Sequence, residues 1–80
     1  IINTSVIVEH DSFIGRYVHL SPNVTISGNC TVNDNSWIGA GATLINNIKI
    51  ANNVIIGANS VVIRDVLKNG TYVGIVKGDI

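Results

Sequence analysis

Branched aliphatic residues return along this chain at every sixth position. Stepping from residue 2 gives Ile2, Val8, Ile14, Leu20, Ile26, Val32, Ile38, Leu44, Ile50, Ile56 and Val62, eleven without a miss. Two residues earlier sits a small or modest side chain, in turn Val6, Ser12, Val18, Val24, Cys30, Ser36, Ala42, Ile48, Val54 and Ser60. Alternate residues of an extended chain point the same way, so both positions belong to one face of a short strand. Three residues after most of the aliphatics comes Asn or Gly (Asn23, Asn29, Asn35, Gly41, Asn47, Asn53, Asn59), the types that best tolerate the left-handed backbone of a tight corner. Each hexad therefore reads as a strand plus a corner. A six-residue period does not suit an α-helix and is too short for leucine-rich, ankyrin or propeller repeats, whereas hexapeptide β-helices have this spacing. With three strands per turn, three hexads make one coil, and the chain holds three to four coils before the lattice ends near Arg64. The expected architecture is all-β: a parallel β-helix over residues 1–64 and a C-terminal extension over 65–80.

That coil length converts sequence positions into neighbours, because residues three hexads apart stack about 4.8 Å from one another, the spacing of paired strands. His19, Trp37 and Ile55 form one outward column, Ile7, Thr25, Thr43 and Val61 a second, and Glu9, Ser27, Ile45 and Ile63 a third. Outward apolar surface on this scale predicts a partner surface. Three corner columns follow from the same stepping. His10, Gly28, Asn46 and Arg64 share one, Thr4, Pro22, Ala40 and Ala58 a second made mostly of small groups, and Arg16, Asp34 and Asn52 a third, where Arg16 and Asp34 are expected to form an exposed ion pair of little energetic weight.

Composition narrows the function. The chain has 80 residues, at most one small domain and one that buries little apolar surface alone. Five basic residues balance five acidic ones and no basic stripe is present, which argues against a nucleic-acid partner. No apolar run of about 20 residues offers a membrane span, and no charged segment precedes an apolar core at the start. A soluble, cytoplasmic protein is expected. The single cysteine, Cys30, cannot pair internally and falls on the inward lattice, where it reads as a small core residue.

His10 is the candidate for chemistry. An imidazole takes a proton near neutral pH, and Asp11 follows it at a bend, where adjacent side chains need not diverge as they do on a flat strand. A carboxylate on one ring nitrogen would fix the tautomer and leave the other for substrate. The Gly28 amide, one coil above, is placed to donate to the oxygen of a tetrahedral intermediate.

The units Ile38-Gly39-Ala40-Gly41-Ala42-Thr43 and Ile56-Gly57-Ala58-Asn59-Ser60-Val61 resemble those of the left-handed hexapeptide acyltransferases, and that resemblance implies the left hand of the helix. The segment Val8-Glu9-His10-Asp11-Ser12-Phe13-Ile14-Gly15, followed by Tyr17-Val18-His19-Leu20-Ser21-Pro22, is similar to the core of bacterial sugar acetyltransferases. That group holds the sialic acid O-acetyltransferases and the N-acetyltransferase that completes UDP-diacetylbacillosamine. The resemblance implies His10 as proton acceptor, Asp11 as the residue that raises its basicity, and Gly28 as the matching amide. It implies that His19 contacts acetyl-CoA, that Ala40 and Ala58 line the CoA groove, and that the protein is a homotrimer. It also implies an N-terminal sugar-nucleotide-binding domain outside this sequence, and acetyl transfer to an amino or hydroxyl group of a nucleotide-linked or acidic sugar without a metal. The tail departs from the pattern: relatives run Val-x-Gly-x-Pro-Ala-Lys where this chain has Val73-Gly74-Ile75-Val76-Lys77, so Lys77 is not assigned to the CoA phosphate.

Two alternatives use the same helix. A γ-class carbonic anhydrase needs three histidine ligands across a subunit interface, and this chain has two histidines. A non-catalytic β-helix, a spacer or an ice-binding surface, needs no His-Asp pair, and the ice-binding version needs a regular Thr ladder that Ile7 and Val61 interrupt.

Overall fold

The structure, a computed structural model, describes residues 1–78. Every hexad of the regular lattice forms a short strand or bridge followed by a corner, and three faces of parallel strands result. The first face stacks β1 (Ile7–Val8), β4 (Thr25–Ile26), β7 (Thr43–Leu44), β10 (Val61–Val62) and β12 (Ile75–Val76). The second stacks β2 (Phe13–Ile14), β5 (Thr31–Val32) and β8 (Lys49–Ile50). The third stacks β3 (His19–Leu20), β6 (Trp37–Ile38), β9 (Val54–Ile56) and β11 (Gly70–Tyr72). The fold is a left-handed parallel β-helix, a three-sided prism with principal extents of 31 × 22 × 21 Å. Ile7 pairs with Thr25, Thr25 with Thr43 and Thr43 with Val61, the three-hexad step read from the lattice.

The inward aliphatics fill the prism. Leu20, Ile26, Val32, Ile38, Leu44, Ile50, Ile56 and Val62 are fully buried, and burying each such side chain is worth about 1.5–3 kcal/mol. The first coil is different: Ile2 and Val8 occupy the same lattice position but are 60% and 39% exposed.

The other inward position does more than fill space. Ser12 Oγ donates to the Ser27 carbonyl and accepts the Cys30 amide, both at 3.0 Å. Ser36 Oγ repeats this with the Ala51 carbonyl at 2.8 Å and the Val54 amide at 3.1 Å, and the Cys30 thiol donates to the Ile45 carbonyl at 3.0 Å. These small polar side chains tie each coil to the next and leave no buried side-chain polar atom without a partner among the described residues.

Corners adopt the left-handed backbone at Ser5, Asp11, Tyr17, Asn23, Asn29, Asn35, Gly41, Asn47, Asn53 and Asn59. Gly39, just before one of them, is required for a different reason: a Cβ there would lie 2.7 Å from the Ala58 nitrogen and the Ile56 oxygen, inside the backbone of the next coil. The expected Arg16–Asp34 ion pair does not form. The Asp34 carboxylate instead accepts the Arg16 backbone amide at 2.8 Å, since the corner amide points along the column toward it. Asn52 caps the Asp34 amide in the same way at 3.0 Å.

After Arg64 the six-residue lattice stops, yet stacking continues. Val66 bridges to Ile50, Gly70 pairs with Val54 and Ile75 pairs with Val61, all at steps shorter than the three-hexad coil. Val66 and Val76 are buried and close that end of the core.

Candidate functional site

His10 and Asp11 form the corner between the first and second faces. The left-handed backbone at Asp11 (φ 60°) breaks the alternation of side chains and turns its carboxylate back onto the preceding imidazole. His10 Nδ1 lies 3.3 Å from Asp11 Oδ2, with both side chains about four-fifths exposed. An ionised carboxylate only accepts, so in the neutral imidazole this contact places the proton on Nδ1 and leaves Nε2 as the basic nitrogen.

Gly28 sits directly against that free edge. A Cβ built on it would lie 3.0 Å from His10 Cε1 and 3.1 Å from Nε2, so the imidazole covers the space a side chain would fill. At the neighbouring corner the amides of Arg16 and Asp34 are taken by the side chain one coil above. Among the described residues no acceptor takes up the Gly28 amide, which remains a donor beside the imidazole.

His19 lies on the third face, the side of the prism opposite the His10 corner. Its imidazole stacks on Trp37 with centroids 3.8 Å apart and planes inclined by 10°. Asn3 Nδ2 is 3.1 Å from both the Leu20 carbonyl and His19 Nε2. Because Nδ2 donates to the carbonyl, it donates to the ring nitrogen as well, which makes Nε2 the acceptor and Nδ1–H the free donor of neutral His19. Ile1, Tyr17, Val18, His19 and Trp37 line a cavity of about 440 Å³ beside this pair.

Ala40 and Ala58 stack on the corner between the third and first faces, both exposed, as counted from the sequence. The structure thus brings together His10, Asp11 and Gly28 at one corner, and places His19, Ala40 and Ala58 on another side of the same prism. Stepping along the sequence does not find the Asn3 contact, because Asn3 is off the three-hexad step from His19. Among the described residues no three His, Cys, Asp or Glu side chains converge, and no helix is long and apolar enough to cross a membrane.

Residues 29–64 match the family model for the bacterial transferase hexapeptide (six repeats). That span holds six hexads of the lattice and includes Ala40 and Ala58, while His10, Asp11, His19 and Gly28 precede it. The match supports the hexapeptide-repeat transferase superfamily, whose repeat domains are typical of acyl- and acetyltransferases.

Proposed function

We propose that this chain is the catalytic β-helix of an acetyltransferase that moves acetyl from acetyl-CoA to an amino or hydroxyl group of a nucleotide-linked or acidic sugar. The observation that carries this reading is the His10–Asp11 pair with the uncapped Gly28 amide at its free edge. His10 Nε2 takes a proton from the acceptor as its nitrogen or oxygen attacks the thioester carbonyl. The new bond to the acyl carbon forms, the carbonyl oxygen becomes an oxyanion, and the Gly28 amide donates to it. Collapse breaks the carbon–sulfur bond, and the imidazolium returns the proton to the thiolate. Asp11 holds the imidazole in the tautomer this needs and stabilises its charged form. No acyl-enzyme is required, since Cys30 is buried inside the prism rather than beside His10.

The donor half of the site is His19, Ala40 and Ala58, and a neighbouring copy in a homotrimer supplies it. The separation of the two residue sets on one prism supports this arrangement, as do Ile45 and Ile63, exposed in the column next to the His10 corner. The test is release of free thiol from acetyl-CoA with UDP-4-amino sugars and sialic acids as acceptors. Transfer to one acceptor class that His10→Ala abolishes is expected. A His10→Ala protein that kept its assembly and its full rate would overturn the reading.

A further inference from the structure

The chain carries eleven asparagines, and an asparagine is chemically labile wherever the backbone nitrogen that follows it can reach its carboxamide carbon. Six of them, Asn23, Asn29, Asn35, Asn47, Asn53 and Asn59, hold left-handed corners. Each is followed by a buried inward residue (Val24, Cys30, Ser36, Ile48, Val54 or Ser60) whose side chain crowds that nitrogen and fixes it. The Cys30 and Val54 amides are also engaged by Ser12 Oγ and Ser36 Oγ, and that of Ser60 by the Gly57 carbonyl. Asn33, Asn46 and Asn52 precede amides bonded to Asn52 Oδ1, the Gly28 carbonyl and the Asp34 carbonyl. Asn3 precedes the β-branched Thr4.

Asn69 breaks this pattern. It lies past the six-residue lattice, on the connection between Val66, which bridges to Ile50, and Gly70, which opens β11 beside Val54. Exposure does not set it apart, since the six corner asparagines are exposed too. The next residue does. Gly70 has no Cβ to shield its nitrogen, and its φ of 147° lies in the region that favours glycine, so the fold itself calls for the unhindered neighbour.

We propose that Asn69 is a site of spontaneous covalent modification that loosens β11. The Gly70 nitrogen attacks the Asn69 carboxamide carbon and gives up its proton, the new carbon–nitrogen bond closes a succinimide ring, and the side-chain nitrogen leaves as ammonia. Water then opens the ring at either carbonyl, giving aspartate or isoaspartate. Isoaspartate routes the backbone through the side chain and so inserts a methylene into a connection whose ends are pinned. The Val66–Ile50 bridge holds one end, and the Gly70–Val54 pair holds the other. The Tyr72 hydroxyl, donating to the Lys68 carbonyl at 2.9 Å, ties β11 back to the same connection. A longer backbone there shifts Gly70 against Val54 and weakens the pairing of β11 with β9.

The experiment incubates the intact protein at mildly alkaline pH and maps its peptides by mass spectrometry, with an isoaspartyl methyltransferase to count isoaspartate and the guanidinium-unfolded chain alongside. Modification of the folded protein at Asn69, and at none of the corner asparagines, is expected. Asn69→Gln is expected to lose it, because closure there needs a larger, less favoured ring. The isoaspartate form is expected to melt about 5 °C below fresh protein. Fresh Asn69→Asp, which brings the charge without the methylene, is expected to keep the original melting temperature. If the unfolded chain is modified at Asn69 and the folded protein is not, the fold protects the pair and the proposal is overturned. An isoaspartate form that melts with fresh protein would overturn the link to β11.

Discussion

The role proposed for His10 depends on a backbone angle. On a flat strand Asp11 would point away from it, and only the left-handed corner brings the carboxylate to 3.3 Å. If His10 is the base as proposed, His10→Ala is expected to lower kcat by about 10²–10⁴-fold with little change in melting temperature, because the side chain is 80% exposed. Gly28→Ala gives a more specific test. Its new methyl would stand 3.0 Å from the imidazole, so the exposed ring swings aside while the coil keeps its register. We expect a fall in kcat of about tenfold or more from the misplaced base, with the fold retained by circular dichroism. A kcat unchanged by this substitution would mean that the imidazole does not act where it sits. His10, Asp11 and Gly28 are all legible in the sequence, two as neighbours and one by stepping a full coil. That the Gly28 amide is uncapped is not legible, since it depends on whether a side chain above reaches it, as Asn52 reaches Asp34. The Arg16–Asp34 pair is misread for the same reason, because stepping gives column membership and not which atom of a residue meets its neighbour.

At the level of the single strand and its corner, two inward positions do different work. The aliphatic position stabilises by burial, and its worth depends on the coil. Ile38→Ala is expected to cost about 2–5 kcal/mol in chemical denaturation, whereas Val8→Ala, in the half-covered first coil, should cost about 1 kcal/mol or less. The small polar position stitches coils. Ser36→Ala would leave the Ala51 carbonyl and the Val54 amide without their partner, and about 1–3 kcal/mol of destabilisation is expected. A Ser36→Ala protein as stable as wild type would show that these hydroxyls merely fit. The period identifies this position as small, but it cannot show that Ser12, Cys30 and Ser36 share one hydrogen-bonding pattern. It also loses the strands past Arg64. Pairing there steps by less than a full coil, so β11 and β12 extend the third and first faces out of phase with the lattice.

The whole prism separates the candidate base from the candidate donor contacts. His10 stands on one corner, while His19 with Trp37, and the Ala40–Ala58 corner, lie on another side of a body 22 × 21 Å in cross-section. Under the proposed function a single copy therefore holds two halves of different sites, and one complete site needs two copies. In a closed trimer each interface would join one copy's His10 corner to the next copy's His19 side. Ile45→Asp with Ile63→Asp, which puts charge on the two exposed isoleucines in the column beside the proposed base, is expected to convert that trimer to monomers by light scattering and to abolish transfer. The most direct measurement is complementation. His10→Ala and His19→Ala proteins, each inactive or nearly so, are co-assembled in equal amounts and assayed for acetyl transfer. Sites shared between copies predict recovery of about one quarter of the wild-type rate, since half the copies supply an intact His10 and half of their neighbours an intact His19. No recovery from mixed assemblies would contradict the account.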